Sequence, residues 1–155
     1  MPNWTSNELI VTGKHDEVAR FVDHIGQTMD FEKIIPPPAN MFRGDLLGEK
    51  ERRECAEKGI PNWYDWQSEY WGTKWNACNC EEVIVSPFDN IPYTEAIYRF
   101  DTAWSTPKPV ICKIIEAWPE LEIDGGYIDE GYEGCGSFNA FQDYYYQHHH
   151  PEEAA

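Results

Sequence analysis

Two segments with helical periodicity, one in each half of the chain, are the feature that most restricts the fold. They span residues 15–26 and residues 107–118, and their apolar residues recur at three- and four-residue spacing. These apolar residues are Val18, Phe21, Val22 and Ile25 in the first segment, and Val110, Ile111, Ile114, Ile115 and Trp118 in the second. Gly26 and Pro119 stand where the two helices should end. Each helix therefore needs an apolar surface to cover.

Strand-like segments lie on both sides of these helices. Residues 8–12, 75–85, 96–104 and 121–124 combine apolar or alternating residues with flanking turn residues, and residues 134–141 give a weaker final strand. Residues 31–35 can form another short strand, which the three prolines at 36–38 would end. The order of strands and helices is that of a split βαβ unit. The sequence therefore predicts an α+β, ferredoxin-like fold, with an antiparallel sheet and two helices on one face.

An aromatic-rich insertion at about residues 36–72 separates the first helix from the later strands. Four of the seven tryptophans fall within "GIPNWYDWQSEYWGTKWNA", residues 59–77. Asn62 can cap a helix that carries Trp63, Trp66 and Tyr70 on one side. We expect these three side chains to form a small second core that joins the insertion to the sheet. An aromatic patch or pocket is the other interpretation, and its candidate residues are Tyr64, Trp71, Lys74, Trp75 and Arg99, with Tyr64, Trp71 and Lys74 at the rim.

The length of the chain predicts a single domain. We expect residues 1–143 to form one ferredoxin-like domain with the insertion, and residues 144–155 to form a loose acidic tail. No apolar run is long enough to span a membrane, and no signal peptide is recognisable, so a cytoplasmic protein is expected. Five cysteines are expected to be free thiols. Cys78 and Cys80 lack two further ligands of suitable spacing, so neither a metal nor a cofactor is predicted.

Charge is the strongest global signal. There are 28 acidic and 12 basic residues, which give a net charge of −16, and no Lys or Arg follows Lys113. Such a surface repels nucleic acid and anionic membranes and favours basic partners, although solubility alone is a sufficient explanation. The candidate partner-binding residues are Glu122, Asp124, Asp129, Glu130 and Glu133. The first four are expected on the solvent side, because they alternate with Leu121, Ile123 and Ile128.

Motifs for catalysis are missing from the sequence. It contains no GxSxG, HExxH or phosphate-binding loop. The glycine-rich residues 131–136 are not followed by a predicted helix, as a dinucleotide fingerprint requires. We therefore predict that the protein is not an enzyme and that it has no catalytic residues.

Three sequence blocks carry a resemblance to a known family. "MPNWTSNELIVTG", "GIPNWYDWQSEYWGTKWNA" and "YRFDTAWSTPKPVICKI", the last followed by "WPEL", resemble the YubB-like proteins of phages and conjugative plasmids. The resemblance extends from Pro2 to about Gly136. It implies a ferredoxin-like fold and an origin in a mobile element, but it brings no activity and no catalytic residues.

Charge and resemblance together suggest a function. The leading hypothesis is a non-enzymatic anti-defence inhibitor in the host cytoplasm. Its acidic face would mimic nucleic acid and bind a basic, nucleic-acid-binding host protein. The alternative is a protein that sequesters a small molecule or nucleotide and uses the aromatic cluster as a pocket. Direct nucleic-acid or membrane binding is not expected, and the oligomeric state is left open.

Overall fold

A five-stranded antiparallel sheet organises the chain in the computed structural model, which describes residues 3–45, 48–132 and 134–149. The strands are β1 (Trp4–Lys14), β2 (Ile84–Pro87), β3 (Tyr93–Ala103), β4 (Glu122–Asp129) and β5 (Cys135–Ser137). Their order across the sheet is β2-β3-β1-β4-β5. This order places the first strand of the chain at the centre of the sheet.

The central strand β1 holds the two halves of the sheet together. It pairs with β3 along its whole length and with β4 from Thr5 to Thr12. Its side chains alternate, so that Leu9 and Val11 are buried while Ser6 and Glu8 lie on the other face. The predicted strand, residues 8–12, is therefore the middle of a longer one.

Helices cover one face of this sheet. They include α1 (His15–Ile25) and α4 (Lys108–Ala117), close to the predicted bounds, and each buries the apolar stripe expected from its sequence. The ring of Phe21 on α1 contacts both Tyr98 of β3 and Trp118 at the end of α4. The ferredoxin-like α+β fold is thus confirmed. None of the helices in the described ranges is both long and apolar enough to cross a membrane.

The C-terminal region differs from the prediction. Only Cys135–Ser137 form a strand, and α5 (Phe138–His149) follows directly, so the prediction of a loose tail from residue 144 is wrong as far as His149. Phe138 and Phe141 pack against Tyr127 of β4. The Gln142 amide accepts from the Ile123 N–H and donates to the Leu121 carbonyl, where β5 is too short to pair. Residues 150–155 lie outside the described part of the chain.

The described part of the insertion contains two helices, and one predicted strand just before it is corrected. They are α2 (Glu49–Glu57) and α3 (Trp63–Tyr70); α3 forms as predicted, and Asn62 caps it by accepting from the Asp65 N–H. Phe31–Lys33 form a short 3₁₀ helix instead of a strand. This turn inserts the Phe31 ring between Trp71 and Phe100, which an extended segment would not do.

The segment that leads into β2 is less regular than predicted. A strand was expected over residues 75–85, but regular pairing begins only at Ile84. Cys78 forms an isolated bridge with Asp101, and Asn79 adopts a left-handed conformation with φ of 48°. The edge of β3 near Asp101 is therefore covered by single hydrogen bonds instead of a continuous ladder.

Candidate functional site

One face of the sheet is left open to solvent. Helices α1, α4 and α5 all pack on the face that carries Leu9, Tyr98 and Tyr127. The side chains on the opposite face, here called the open face, are half-buried or exposed. They include Trp4, Ser6, Glu8, Ile10, Thr12 and Lys14 of β1; Tyr93, Glu95, Ile97, Arg99 and Asp101 of β3; and Glu122, Asp124 and Ile128 of β4, with Gly126 also at an outward position.

The open face is acidic. Its carboxylates are Glu8, Glu95, Asp101, Glu122 and Asp124, together with Glu81 beside the edge of β3. Arg99 lies among them: its Nε is 2.7 Å from Glu8 Oε2 and its Nη1 is 3.7 Å from Glu81 Oε2. The hydrogen bond that Arg99 donates to the Glu8 carboxylate is the main reason why the pKa of Arg99 is raised. Arg99 therefore offsets only part of the negative charge.

A shallow depression of about 710 Å³ crosses β3, β1 and β4 on this face. Its lining includes Ser6, Arg99 and Ile128, and it passes over Gly125 and Gly126, which have no side chains to fill it. At Gly125, φ is +92° and an added Cβ would lie 1.9 Å from the Glu8 carbonyl oxygen. Gly125 thus allows β4 to approach β1 closely, and Gly126 allows the same close approach to Gly136 of β5.

The predicted partner-binding acids fall into two groups. Glu122 and Asp124 project from β4 on the open face, with the buried Ile123 between them. Asp129 instead holds the turn between β4 and β5, where its Oδ2 accepts from the Gly134 N–H at 2.8 Å. Glu130 is exposed just beyond β4, and its N–H donates to the Trp4 carbonyl. Glu133 lies outside the described residues.

The prediction placed Ile128 of β4 on the wrong face of the sheet. Ile128 was grouped with Ile123 as buried, but it lies on the open face and is 38% exposed. The strand continues through Gly125 and Gly126 without an extra residue, so its two-residue period places 123 and 128 on opposite faces. Tyr127, not Ile128, packs on α5.

The prediction for Trp71 was also wrong. It was expected at an exposed rim, but it is 2% exposed, and its indole N–H donates to the Ile35 carbonyl. The buried position of α3 is Gln67. Because Gln67 is polar, a search for apolar residues at helical spacing does not identify this side of the helix as the inward one. The Gln67 amide is satisfied by the Lys74 carbonyl at 2.6 Å, which allows its burial. Tyr70, expected in the core, is 46% exposed.

The other predicted aromatic-patch residues do not meet in one pocket. Tyr64 contacts Trp63 and lies beneath the Arg52 guanidinium, while Arg99 is on the open face. Lys74 and Trp75 do lie together, and Trp4 and Trp104 join them. Sequence reasoning missed Trp4 and Trp104 because only the pairing of β1 with β3 brings these positions together; Trp4 pairs with Ala103.

The thiols of Cys78 and Cys80 are each hydrogen-bonded to a different backbone carbonyl and are not arranged as a pair of metal ligands. Cys78 Sγ donates to the Asn76 carbonyl, and Cys80 Sγ donates to the Met29 carbonyl. Burial raises the pKa of both thiols. Within the described ranges, no group of three or more His, Cys, Asp or Glu side chains is placed to hold a metal ion.

Comparison with known families decides where the chain belongs. Residues 71–153, more than half of the chain, match the family described as the ferredoxin-like domain in Api92-like protein. The chain belongs to this family. The match includes β2 to β5, but it begins after β1 and α1, so the central strand of the sheet lies outside it. No curated protein and no solved structure matches the chain.

Proposed function

We propose that this protein is a non-enzymatic binding protein that uses its open face to bind a basic surface of a partner protein. The observation that carries the proposal is the uncovered face of the sheet, where six carboxylates outnumber two cations: Arg99, which Glu8 and Glu81 already pair, and Lys14 at the end of β1. Such a face steers a basic partner during diffusional encounter and repels acidic ones.

The shape of the open face supports a macromolecular partner. Ile84, Ile97 and Ile10 lie side by side across β2, β3 and β1, so an apolar row crosses the acidic surface. Ile84 is 44% exposed. Apolar contacts at the centre of an interface, surrounded by charges that orient the partner, are typical of protein–protein recognition. Nucleic acid would meet carboxylates where phosphate contacts require Lys or Arg.

The resemblance to YubB-like proteins of phages and conjugative plasmids extends the proposal to a biological role. In this role the protein is encoded by a mobile element and acts in the host cytoplasm. It inhibits a nucleic-acid-binding defence protein by occupying that protein's basic groove. The acidic open face stands in for the phosphate backbone that such a groove normally binds.

The alternative, sequestration of a small molecule or nucleotide, has weaker support. A nucleotide needs free cations in a cleft, whereas the arginine in the depression is bound by Glu8 and Glu81. The aromatic residues predicted to form a pocket are divided between the core, the insertion and the end of the sheet. We therefore retain protein binding as the proposed function.

Charge reversal on the open face tests this proposal. The variant Glu95→Lys, Glu122→Lys, Asp124→Lys is expected to capture at least about tenfold less of the partner that the wild-type protein captures from a host cell lysate. Capture by the wild-type protein should fall as salt rises, because exposed charges are screened over about 8–10 Å near physiological ionic strength. Quantitative mass spectrometry of the captured protein gives the readout.

A matched variant shows whether the position of the acidic residues matters or only the net charge of the protein. Glu57→Lys, Glu116→Lys, Glu120→Lys alters exposed residues on and beside the helices and changes the net charge by the same amount. This control should capture the partner nearly as well as the wild-type protein. Equal losses in the two variants would show that the open face has no special role and that the acidic residues serve solubility.

A further inference from the structure

Three tryptophans and a lysine form a cluster at one end of the open face. The Lys74 ammonium lies 4.6 Å from the ring centroid of Trp75 and 4.9 Å from that of Trp104. Trp4 adjoins them, with its ring centroid 6.3 Å from that of Trp75. Both lysine distances are within the range of a cation–π interaction, about 6 Å. A positive charge is therefore seated between two indole rings.

The backbone at Trp104 is strained. Its φ is +70°, a left-handed conformation that a bulky residue rarely adopts. The Trp104 N–H donates to the Asn3 carbonyl at 2.8 Å, which holds the chain in this turn. The indole is nevertheless 50% exposed, so burial does not explain the choice of tryptophan. Glycine would suit this backbone better, which indicates that the exposed ring has a use other than folding.

The cluster continues the open face. Trp4 occupies the same side of β1 as Ser6 and Glu8. Its carbonyl accepts from the N–H of the exposed Glu130, so a carboxylate-bearing turn adjoins the tryptophans. A basic partner that lies on the open face would therefore bring its cationic side chains close to the three indoles.

We propose that Trp4, Trp75 and Trp104 form an aromatic cage for one Lys or Arg side chain of the partner, and that Lys74 occupies this cage in the free protein. The inference rests on the proposed function, because it identifies which partner group the end of the open face recognises. On binding, the Lys74 ammonium moves into water and the partner's cation takes its place. Exchange of one cation for another keeps the indole faces covered in both states.

A short polyarginine peptide and its uncharged citrulline analogue are suitable probes. Lys74→Met removes the internal competitor and is expected to tighten peptide binding about tenfold, because two cation–π contacts no longer have to be broken. Lys108→Met is the matched control: it makes the same charge change at a lysine that lies over Phe141, away from the cage. The control should tighten binding much less. Isothermal titration gives the affinities.

A second variant and a spectroscopic readout test the tryptophans themselves. Trp104→Gly relieves the strained backbone, so it should leave the thermal midpoint unchanged or raised while peptide binding weakens about tenfold. In NMR spectra, the indole N–H signals of Trp75 and Trp104 should shift on addition of the arginine peptide. The citrulline peptide should not shift them, because its side chains carry no charge.

The outcomes distinguish this inference from the proposed function. If Lys74→Met and Lys108→Met bind alike and Trp104→Gly binds as the wild-type protein does, the cage is wrong. The proposed function then survives provided that the triple charge reversal on the open face weakens peptide binding and the matched variant at Glu57, Glu116 and Glu120 does not. If the charge reversal at Glu95, Glu122 and Asp124 has no effect but the cage variants behave as expected, the cage is supported. The proposal that the acidic open face binds the partner is then wrong. Failure of the wild-type protein to bind the arginine peptide at low salt would contradict both.

Discussion

A chain that begins at Trp71 is expected not to fold, although it contains the whole segment matched by the family. The strands β3 and β4 pair with the two opposite edges of β1. When β1 is deleted, nothing joins them in the sheet. From β1 and α1 alone the deletion removes five buried apolar side chains: Leu9, Val11, Val18, Phe21 and Ile25. At about 1.5–3 kcal/mol each, their loss is comparable with the total stability of a domain, about 5–15 kcal/mol.

Circular dichroism and NMR give the readout for this truncation. The shortened chain should show no cooperative thermal transition and poor dispersion of amide signals. Mixing it with a separate peptide of residues 1–70 should restore both features, because the missing strand and helix are then supplied. A cooperative transition in the shortened chain alone would show that the family segment folds independently and that β1 is an accessory strand.

Gly125→Ala is expected to lower the free energy of unfolding by about 3 kcal/mol or more. The alanine would need a left-handed backbone, at φ of +92°, and its Cβ would lie 1.9 Å from the Glu8 carbonyl oxygen. That carbonyl belongs to the central strand, so the clash cannot be relieved without separating β4 from β1. Urea denaturation measures the loss.

Gly26→Ala is the control for this substitution. Gly26 also has a left-handed backbone, with φ of +103°, but nothing lies within 4 Å of the position of an added Cβ. It should therefore show only the conformational cost of this backbone for a residue with a side chain, about 1–3 kcal/mol, without the added cost of the clash. If Gly125→Ala destabilises the protein no more than Gly26→Ala does, close packing of β4 on β1 is not what requires glycine at 125.

Local sequence patterns were sufficient to predict the main elements of the fold. The apolar stripes of α1 and α4 repeat at helical spacing, and both helices bury the residues that the stripes identify, except that Val22 and Trp118 are only partly buried. Asn62 caps α3 as expected, because its side chain accepts from an N–H three residues ahead. Each of these predictions depends on residues close together in the sequence.

The errors arose where tertiary contacts decide local structure. Phe31 follows an apolar pattern that suits a strand, but packing against Trp71 and Phe100 places it in a 3₁₀ turn. Residues 144–149 have little apolar periodicity, yet they continue a helix whose Phe138 and Gln142 contact residues 121–127, in and just before β4. In both regions the deciding partners are distant in sequence, so the pattern alone could not identify them.

The candidate site shows the same division. Glu122 and Asp124 could be recognised as an exposed acidic pair because they flank Ile123 in one strand. Glu8, Glu95 and Asp101 join them only through the register of β1 with β3 and β4. The tryptophan cage likewise combines residues from the start of β1, the end of the insertion and the turn after β3. Strand order and register are therefore required to find it.

Carboxylate footprinting of the protein bound to the partner that it captures tests the central claim most directly. Carbodiimide labelling with mass spectrometry would report the accessibility of individual acids in the free and bound states. The proposed interface predicts that Glu95, Glu122 and Asp124 are protected on binding, while Glu57, Glu116 and Glu120 are labelled as in the free protein. Protection of the second set with unchanged labelling of the first would place the partner away from the open face and contradict binding through it.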